Sequence, residues 1–447
     1  MPKSFSVINL GCAKNEVDGE GLRQVLLAAG HTAALSPAHA DVVVVNTCGF
    51  IQAATDESLA ELRRLAASKR PGQMLVAAGC LAERLGAQIA QEVPQVDAVL
   101  GTLRWGEIAR LLEAAAGSGE RPAWIGVGTP EPCVPRQAHG GSAYLKIADG
   151  CSAACAFCTI PAIKGPYRSR PEEDIVGEAA ALAAQGVREL VLIAQDSTYY
   201  GRDRGERGAL VRLLERLLAV TPAVPWLRLM YAYPTHLDGD LLRLMAAEPR
   251  LVPYLDLPLQ HAHPDVLRRM GRPARDPLQL VAELRQAVPG LTLRSTFIVG
   301  FPGESDAEFG ALLRFLEAVR LERVGVFAYS AEDGTPAAEM PGQVPEEAKQ
   351  RRLGEAMRLQ QNISLALNRE QIGRTLDVLV EGRGRLERGP SRGHQRRGQV
   401  LVCGRSRRDA PEVDGLVFFP GAAQPGDMVR VRVTQALPYD LVGRQLG

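Results

Sequence analysis

Apolar runs of strand length alternate with helical periods from Phe5 almost to Glu370, and no other feature constrains the fold as strongly. A strand, a crossover helix and a second strand of the same sheet must run parallel, with a right-handed crossover. The chain is therefore expected to be built of parallel α/β units. Residues 5–10, 41–47 and 73–78 read as strands, and 16–29, 52–67 and 83–91 as helices. A Pro- and Gly-rich stretch at 117–141 reads as a linker. From Ala143 the alternation resumes, with strands at 144–148, 189–194, 226–231, 255–259, 292–299 and 323–328 and helical patterns between them. Six such strands predict a partial or full (β/α) barrel. Residues 346–370 form one long helix, expected to pack across the barrel edge.

After Gly373 the pattern changes to short β segments at 375–381, 399–403, 415–419, 427–435 and 440–444, broken by Gly, Pro and Arg turns and a polar loop at 389–398. This predicts a small antiparallel barrel of the oligonucleotide-binding type. The expected modules are 1–118, a linker at 119–140, the barrel at 141–370 and the β-barrel at 371–447.

Composition narrows the class. With 447 residues, 46% hydrophobic and 23% charged, the chain reads as a soluble multidomain globular protein, not a disordered one. No apolar run approaches the ~20 residues that span a bilayer, so no membrane partner is expected. Met1-Pro2-Lys3 leads straight into a strand and leaves no room for a signal peptide, so the expected location is the cytoplasm. Reducing conditions there turn the eight cysteines from disulfides towards metal binding or catalysis. Net charge is +1, but residues 371–447 carry 13 Arg, no Lys and 8 Asp plus Glu, a balance of +5 against −4 for the rest. A basic terminal module points to RNA or a ribonucleoprotein surface, and a solvated arginine face would give the same count.

Cys151, Cys155 and Cys158 form C-x3-C-x2-C directly after the first barrel strand, where loops of such barrels build active sites. Thiolates suit iron–sulfur clusters or zinc. Structural zinc is closed by four ligands, yet no fourth Cys or His follows within about forty residues. Three thiolates on a four-iron cluster leave one iron open. A second set, Cys12, Cys48 and Cys80, ends the runs SVINLGC, DVVVVNTC and MLVAAGC. All three are expected at the carboxyl edge of one parallel sheet, where open α/β folds bind ligands. Their convergence would make a second metal site. Cys133 and Cys403 lack such partners and read as structural.

The C-x3-C-x2-C spacing resembles the radical S-adenosylmethionine superfamily. The resemblance implies that the open iron chelates the methionyl end of S-adenosylmethionine and that reductive cleavage yields a 5′-deoxyadenosyl radical, which abstracts hydrogen from an unactivated carbon. Phe157 matches the aromatic position near the adenine, and simple packing of the loop is an equally compatible reading. Over nearly the whole chain, two cysteine trios in an α/β domain, a barrel and a small β domain resemble the methylthiotransferases, whose third module is the TRAM domain. This implies two [4Fe–4S] clusters, one for radical generation and an auxiliary one for sulfur delivery. It also implies a second S-adenosylmethionine as methyl donor and a flavodoxin- or ferredoxin-like electron donor.

Subfamily motifs are NTCGFI at 46–51, GCLAER at 79–84, LIAQDST at 192–198, LPLQHAHPDVLRRM at 257–270, RSTFIVGFPGE at 294–304 and GRSRRDAPEVDG at 404–415. They resemble the protein-modifying branch, which methylthiolates an aspartate of the twelfth small-subunit ribosomal protein. The alternative is the tRNA branch, which more usually has other residues where Gly49 and Asp196 stand here. A zinc-bound RNA-binding protein without catalysis is the rival outside the enzymes.

The remaining site expectations are softer. Gln195 and Asp196, ending the second barrel strand, are placed to hold the methionyl part or ribose, or else cap a helix. Arg294 is placed to pair with the cofactor carboxylate or to form a structural ion pair. Gly300 and Gly303 would let backbone approach the adenine, or simply make a turn around Pro302. Gln260, His261 and His263 are expected at the barrel mouth, more as satisfied polar groups than as bases.

Overall fold

A computed structural model describes residues 2–117, 121–129, 132, 134–273, 275–385 and 400–447. Cys133 and the loop at 389–398 lie outside them. The first module is one parallel sheet of β1 (Ser4–Asn9), β2 (Thr32–Ala33), β3 (Val42–Thr47), β4 (Met74–Gly79), β5 (Ala98–Gly101) and β6 (Ala123–Trp124). Their order is β2-β1-β3-β4-β5-β6. Every residue of β3 is buried, as a continuous apolar run in a doubly covered sheet requires. Leu22, Leu26 and Ile108 cover one face, and Leu59, Leu62 and Ile89 cover the other. Three strands of this sheet escaped the sequence reading. β2 and β6 have two residues each and β5 four, too few to show a period. β6 lies inside the stretch read as a linker and pairs with β5.

The second module holds β7 (Ser142–Lys146), β8 (Ala148–Asp149), β9 (Arg168–Ser169), β10 (Glu189–Ile193), β11 (Trp226–Leu229), β12 (Tyr254–Asp256), β13 (Thr292–Val299) and β14 (Arg323–Ala328). β11-β10-β7 and β12-β13-β14 are parallel sheets, joined edge to edge by the bridge Leu227–Leu251. These are the six expected strands, curled into a partial barrel. Alternation along β10 sends Leu190 and Leu192 to the helix-covered outside, and Val191 and Ile193 inward. The inner cluster also contains Ala13 and Val17 of helix Ala13–Ala28 and Leu379 and Ala410 of the third module. The other two modules thus stop the barrel. Helix Glu346–Arg369 lies against β14 and helix Asp306–Val319.

The third module is a closed barrel of β15 (Thr375–Arg385), β16 (Val400–Ser406), β17 (Val417–Phe419), β18 (Met428–Ala436) and β19 (Leu441–Gln445), in the order β15-β16-β17-β19-β18. One pairing corrects the purely antiparallel expectation: β17 and β19 are parallel, because β18 returns between them in sequence but pairs with β15. The arginines divide. Arg374, Arg383, Arg385, Arg430, Arg432 and Arg444 are exposed, whereas Arg405 is fully buried against the foot of the central barrel. Among the described residues no helix is long and apolar enough to cross a membrane.

Candidate functional site

The C-x3-C-x2-C loop leaves β8 through Gly150, whose φ of +74° and a would-be Cβ 2.2 Å from the Pro166 carbonyl admit only glycine. Its backbone is pinned from three sides: Cys151 N–H donates to the Gly165 carbonyl (3.1 Å), Cys158 N–H to Cys155 (3.1 Å) and Ala156 N–H to Met270 (2.9 Å). The Ala153 amide points at Cys151 Sγ (3.4 Å) and Arg272 Nη1 at Cys155 Sγ (3.8 Å). Burial pushes the Cys158 thiol up to about 12, with Cys155 and Cys151 adding to the rise, and raises Cys151 as well. Cys151 and Cys158 are therefore held as thiols unless a cation stands beside them. Donor chemistry, amides aimed at sulfur and a neighbouring guanidinium all fit a cluster that leaves one iron open.

Cys12, Cys48 and Cys80 stand at the carboxyl ends of adjacent strands β1, β3 and β4, with Cys12 capping helix Ala13–Ala28 and Cys80 opening helix Cys80–Glu92. The Asn15 amide ties these strand ends together, within 2.6 Å of the Leu10 carbonyl and 3.2 Å of those of Asn46 and Thr47. Burial pushes the Cys80 thiol up to about 12, opposed by Lys164 and reinforced by Cys12 and Cys48. The two cysteine loops touch: Thr159 Oγ1, one residue beyond Cys158, donates to the carbonyl of Phe50, two residues beyond Cys48 (3.1 Å). Among the described residues, the one set of three His, Cys, Asp or Glu with ligand atoms all within 4.8 Å is His263, Asp265 and Glu308. Those three are engaged in capping helices Pro264–Arg269 and Asp306–Val319. Neither cysteine trio is drawn to the spacing of a single ion, whereas thiolates on separate irons of a cluster stand wider apart.

The softer expectations sort by their contacts. Phe157 meets Phe301 edge-on (centroids 6.5 Å apart) in an apolar cluster with Val266, Met270 and Tyr329 beside the cysteine loop. Gln195 Oε1 is buried without a partner, open to a ligand donor. Asp196 accepts from Thr198 N (3.0 Å) and lies 2.6 Å from His236 Nδ1. Arg294 is engaged by Asp256 (2.9 Å) and Asp414 (3.7 Å), the ion-pair alternative. At Gly300, with φ of +72°, a Cβ would stand 2.4 Å from Lys349 Cγ, so helix Glu346–Arg369 is what approaches that turn. His261 is fully buried with Nε2 unpaired, and Gln260 Oε1 is likewise buried and unpaired. Cys403 packs with Leu401 and Phe418.

Sequence reasoning missed Arg272, Asn15 and Lys164. Arg272 follows Gly271, whose φ of +66° and would-be Cβ 2.4 Å from the Ala154 carbonyl bring this loop onto the cysteine loop. A cavity of about 380 Å³ opens there beside Cys151, Tyr167, Asp196, Tyr233, His236 and Arg272.

A parallel partial barrel with an open-cornered cysteine loop at its mouth is the architecture of a radical S-adenosylmethionine enzyme. Family models agree: residues 145–316 match the radical SAM superfamily, 4–101 the uncharacterized protein family UPF0004 and 372–446 the TRAM domain. Among solved structures, the radical S-adenosylmethionine methyltransferase TsrM from Kitasatospora setae shares the fold with a TM-score of 0.55 at 16% identity, over 75% of this chain and 74% of its own. The chain is 50% identical to the ribosomal protein uS12 methylthiotransferase RimO of Roseiflexus castenholzii, over 99% of this chain and 96% of that protein. It is 48% identical to the RimO of Chloroflexus aurantiacus, over 99% of each. The chain belongs to the RimO family of methylthiotransferases, radical enzymes that use two [4Fe–4S] clusters and S-adenosylmethionine.

Proposed function

We propose that this chain methylthiolates the β carbon of an aspartate in ribosomal protein uS12, with Cys151, Cys155 and Cys158 holding the radical cluster and Cys12, Cys48 and Cys80 the auxiliary one. The observation that carries this reading is the near-complete span of the RimO match, supported by the contact between the two cysteine-bearing loops. When bound, the radical cluster with S-adenosylmethionine supplies a hydrogen-abstracting radical, and the auxiliary cluster supplies sulfur. The protein's share is positioning, so no acid–base pair is required. Gln195 Oε1, Gln260 Oε1 and His261 Nε2, each buried and unpaired, offer polar partners to the cofactor, and Phe157 with Phe301 gives an apolar wall. Asp196 lines the cavity beside Cys151, whereas Arg294 and Gly300 are taken up by contacts with Asp256 and Lys349. The exposed arginines of the third module favour docking on the RNA-rich surface around uS12. A flavodoxin- or ferredoxin-like protein is the proposed reductant, and the cytoplasm, where ribosomes are found, the proposed location.

The test is anaerobic reconstitution followed by incubation with uS12 and, separately, with tRNA. A gain of about 46 mass units, one hydrogen replaced by S–CH3, is expected on uS12 alone. Modification of tRNA alone would overturn the substrate. Iron analysis tests the ligands: about eight irons per chain are expected in the wild type, and about half that in Cys12→Ala or Cys151→Ala. Unchanged iron in either variant would overturn that trio.

A further inference from the structure

Four buried charges bridge the two cysteine loops. Lys146 Nζ lies 2.5 Å from Asp18 Oδ1 and 3.6 Å from Asp149 Oδ2. Lys164 Nζ lies 2.7 Å from Asp18 Oδ2 and 3.2 Å from Asp149 Oδ2. Each of these side chains is at most 6% exposed. Both modules contribute: Asp18 sits on the helix that Cys12 caps, Asp149 two residues before Cys151, and Lys164 at the end of helix Ile160–Lys164 after Cys158. That short helix packs directly on helix Cys80–Glu92, which Cys80 opens. Lys164 and Cys80 accordingly feel each other's charge.

A buried tetrad of this kind is a costly way to glue two modules, because desolvating the ions offsets much of their attraction and apolar packing does as well. The tetrad is neutral overall, but it sets the Lys164 ammonium where its effect on Cys80 outweighs that of the opposing Asp18, a fixed local positive charge that apolar packing lacks. Next to a cluster such a charge favours the state holding one more electron, since net charge and burial set cluster potentials.

We propose that Lys164 is a positioning residue that locks the radical-cluster loop onto the auxiliary-cluster helix and raises the reduction potential of the auxiliary cluster. The proposal rests on the assignment of Cys12, Cys48 and Cys80 as auxiliary ligands. Asp18 and Asp149 hold the ammonium in place, and Lys146 balances the second negative charge from the far side of the pair.

The experiment is a redox titration followed by electron paramagnetic resonance on the reconstituted full-length enzyme. Lys164→Met is expected to make the auxiliary cluster at least tenfold harder to reduce, about 59 mV for a one-electron couple, with a smaller shift at the radical cluster. Lys164→Arg, which keeps the charge, should restore most of the wild-type value. Should Lys164→Met fail to fold, Asp149→Asn/Lys164→Met removes one charge of each sign and leaves the Asp18–Lys146 pair intact, and the same fall is expected. A wild-type enzyme with a single cluster signal would overturn the ligand assignment and this proposal with it. Two signals with an unmoved auxiliary potential in the variants would overturn this proposal alone.

Discussion

Arg405 of the C-terminal barrel reaches 2.6 Å from Glu189 at the foot of β10, with both side chains at most 1% exposed. Arg228 of β11 holds the other Glu189 oxygen at 2.7 Å. Burial works to raise the Glu189 pKa, but the two guanidinium groups hold it down at about 2. Without Arg405, Arg228 still balances Glu189, but one buried carboxylate oxygen loses its guanidinium donor, so Arg405→Met is expected to destabilise the protein by about 1–3 kcal/mol. The carboxylate's contribution is complete above its ordinary pKa of 4.5 and is lost as pH falls from there towards 2. Urea unfolding at pH 7 checks the first expectation. A variant as stable as the wild type would show that the third module docks without this pair.

Gly11 packs against Cys48 with a φ of +95°, and a Cβ built on it would stand 2.7 Å from Cys48 Cβ and 2.9 Å from its sulfur. Gly11→Ala combines a strained backbone with a collision at a proposed ligand. The expected outcome is loss of about half the iron, with the radical cluster retained. Iron and sulfide analysis beside Cys12→Ala reads this directly, and full iron content would contradict it.

Cys80 and Cys158 have thiols pushed up to about 12, burial being the first cause in both. Cys12 is the exposed member of the six. In metal-free protein at pH 8, alkylation is expected to mark Cys12 quickly and Cys80 and Cys158 slowly, because the thiolate is the reacting form. Peptide mapping over time gives the order. Cluster assembly must then release protons, and a pH-stat should record this during reconstitution.

The parallel sheet of the first module, from three of its strands, and the six central strands were legible because long apolar runs with turn signals leave few alternatives. The placement of Cys12, Cys48 and Cys80 was legible for a related reason: each ends a strand, and the carboxyl edge of a parallel sheet is one place in space. Residues acting through tertiary contact were not. Lys164 looks like a solvated lysine until helix Ile160–Lys164 is laid on helix Cys80–Glu92. Arg294, a cofactor candidate on position along its strand, meets Asp256 from β12 and Asp414 from a loop 120 residues away. The charge excess of residues 371–447 likewise said nothing of direction, and Arg405 turns inward.

His261 is fully exposed to neither solvent nor a counter-ion: it is 0% exposed, its Nδ1 accepts from the His263 amide at 3.0 Å, and Nε2 has no partner. Burial lowers its pKa to about 3, with His263 adding to the fall. The folded protein therefore keeps this imidazole neutral, while the unfolded chain takes up a proton near pH 6.5. Between those values the unfolded state binds more protons, so stability falls as pH drops from 6.5 towards 3, by about 1.4 kcal/mol per pH unit for this single group. The difference between variant and wild type isolates it, because Glu16, which burial and Glu412 push up to about 7, titrates over this range in both proteins. His261→Asn keeps an acceptor for the His263 amide and removes the titration. Urea midpoints at pH 7, 6 and 5 should therefore fall less steeply in the variant than in the wild type. Equal slopes would show that His261 gains its proton in the fold, and a buried imidazolium would then have to be paired by a group that faces Nε2.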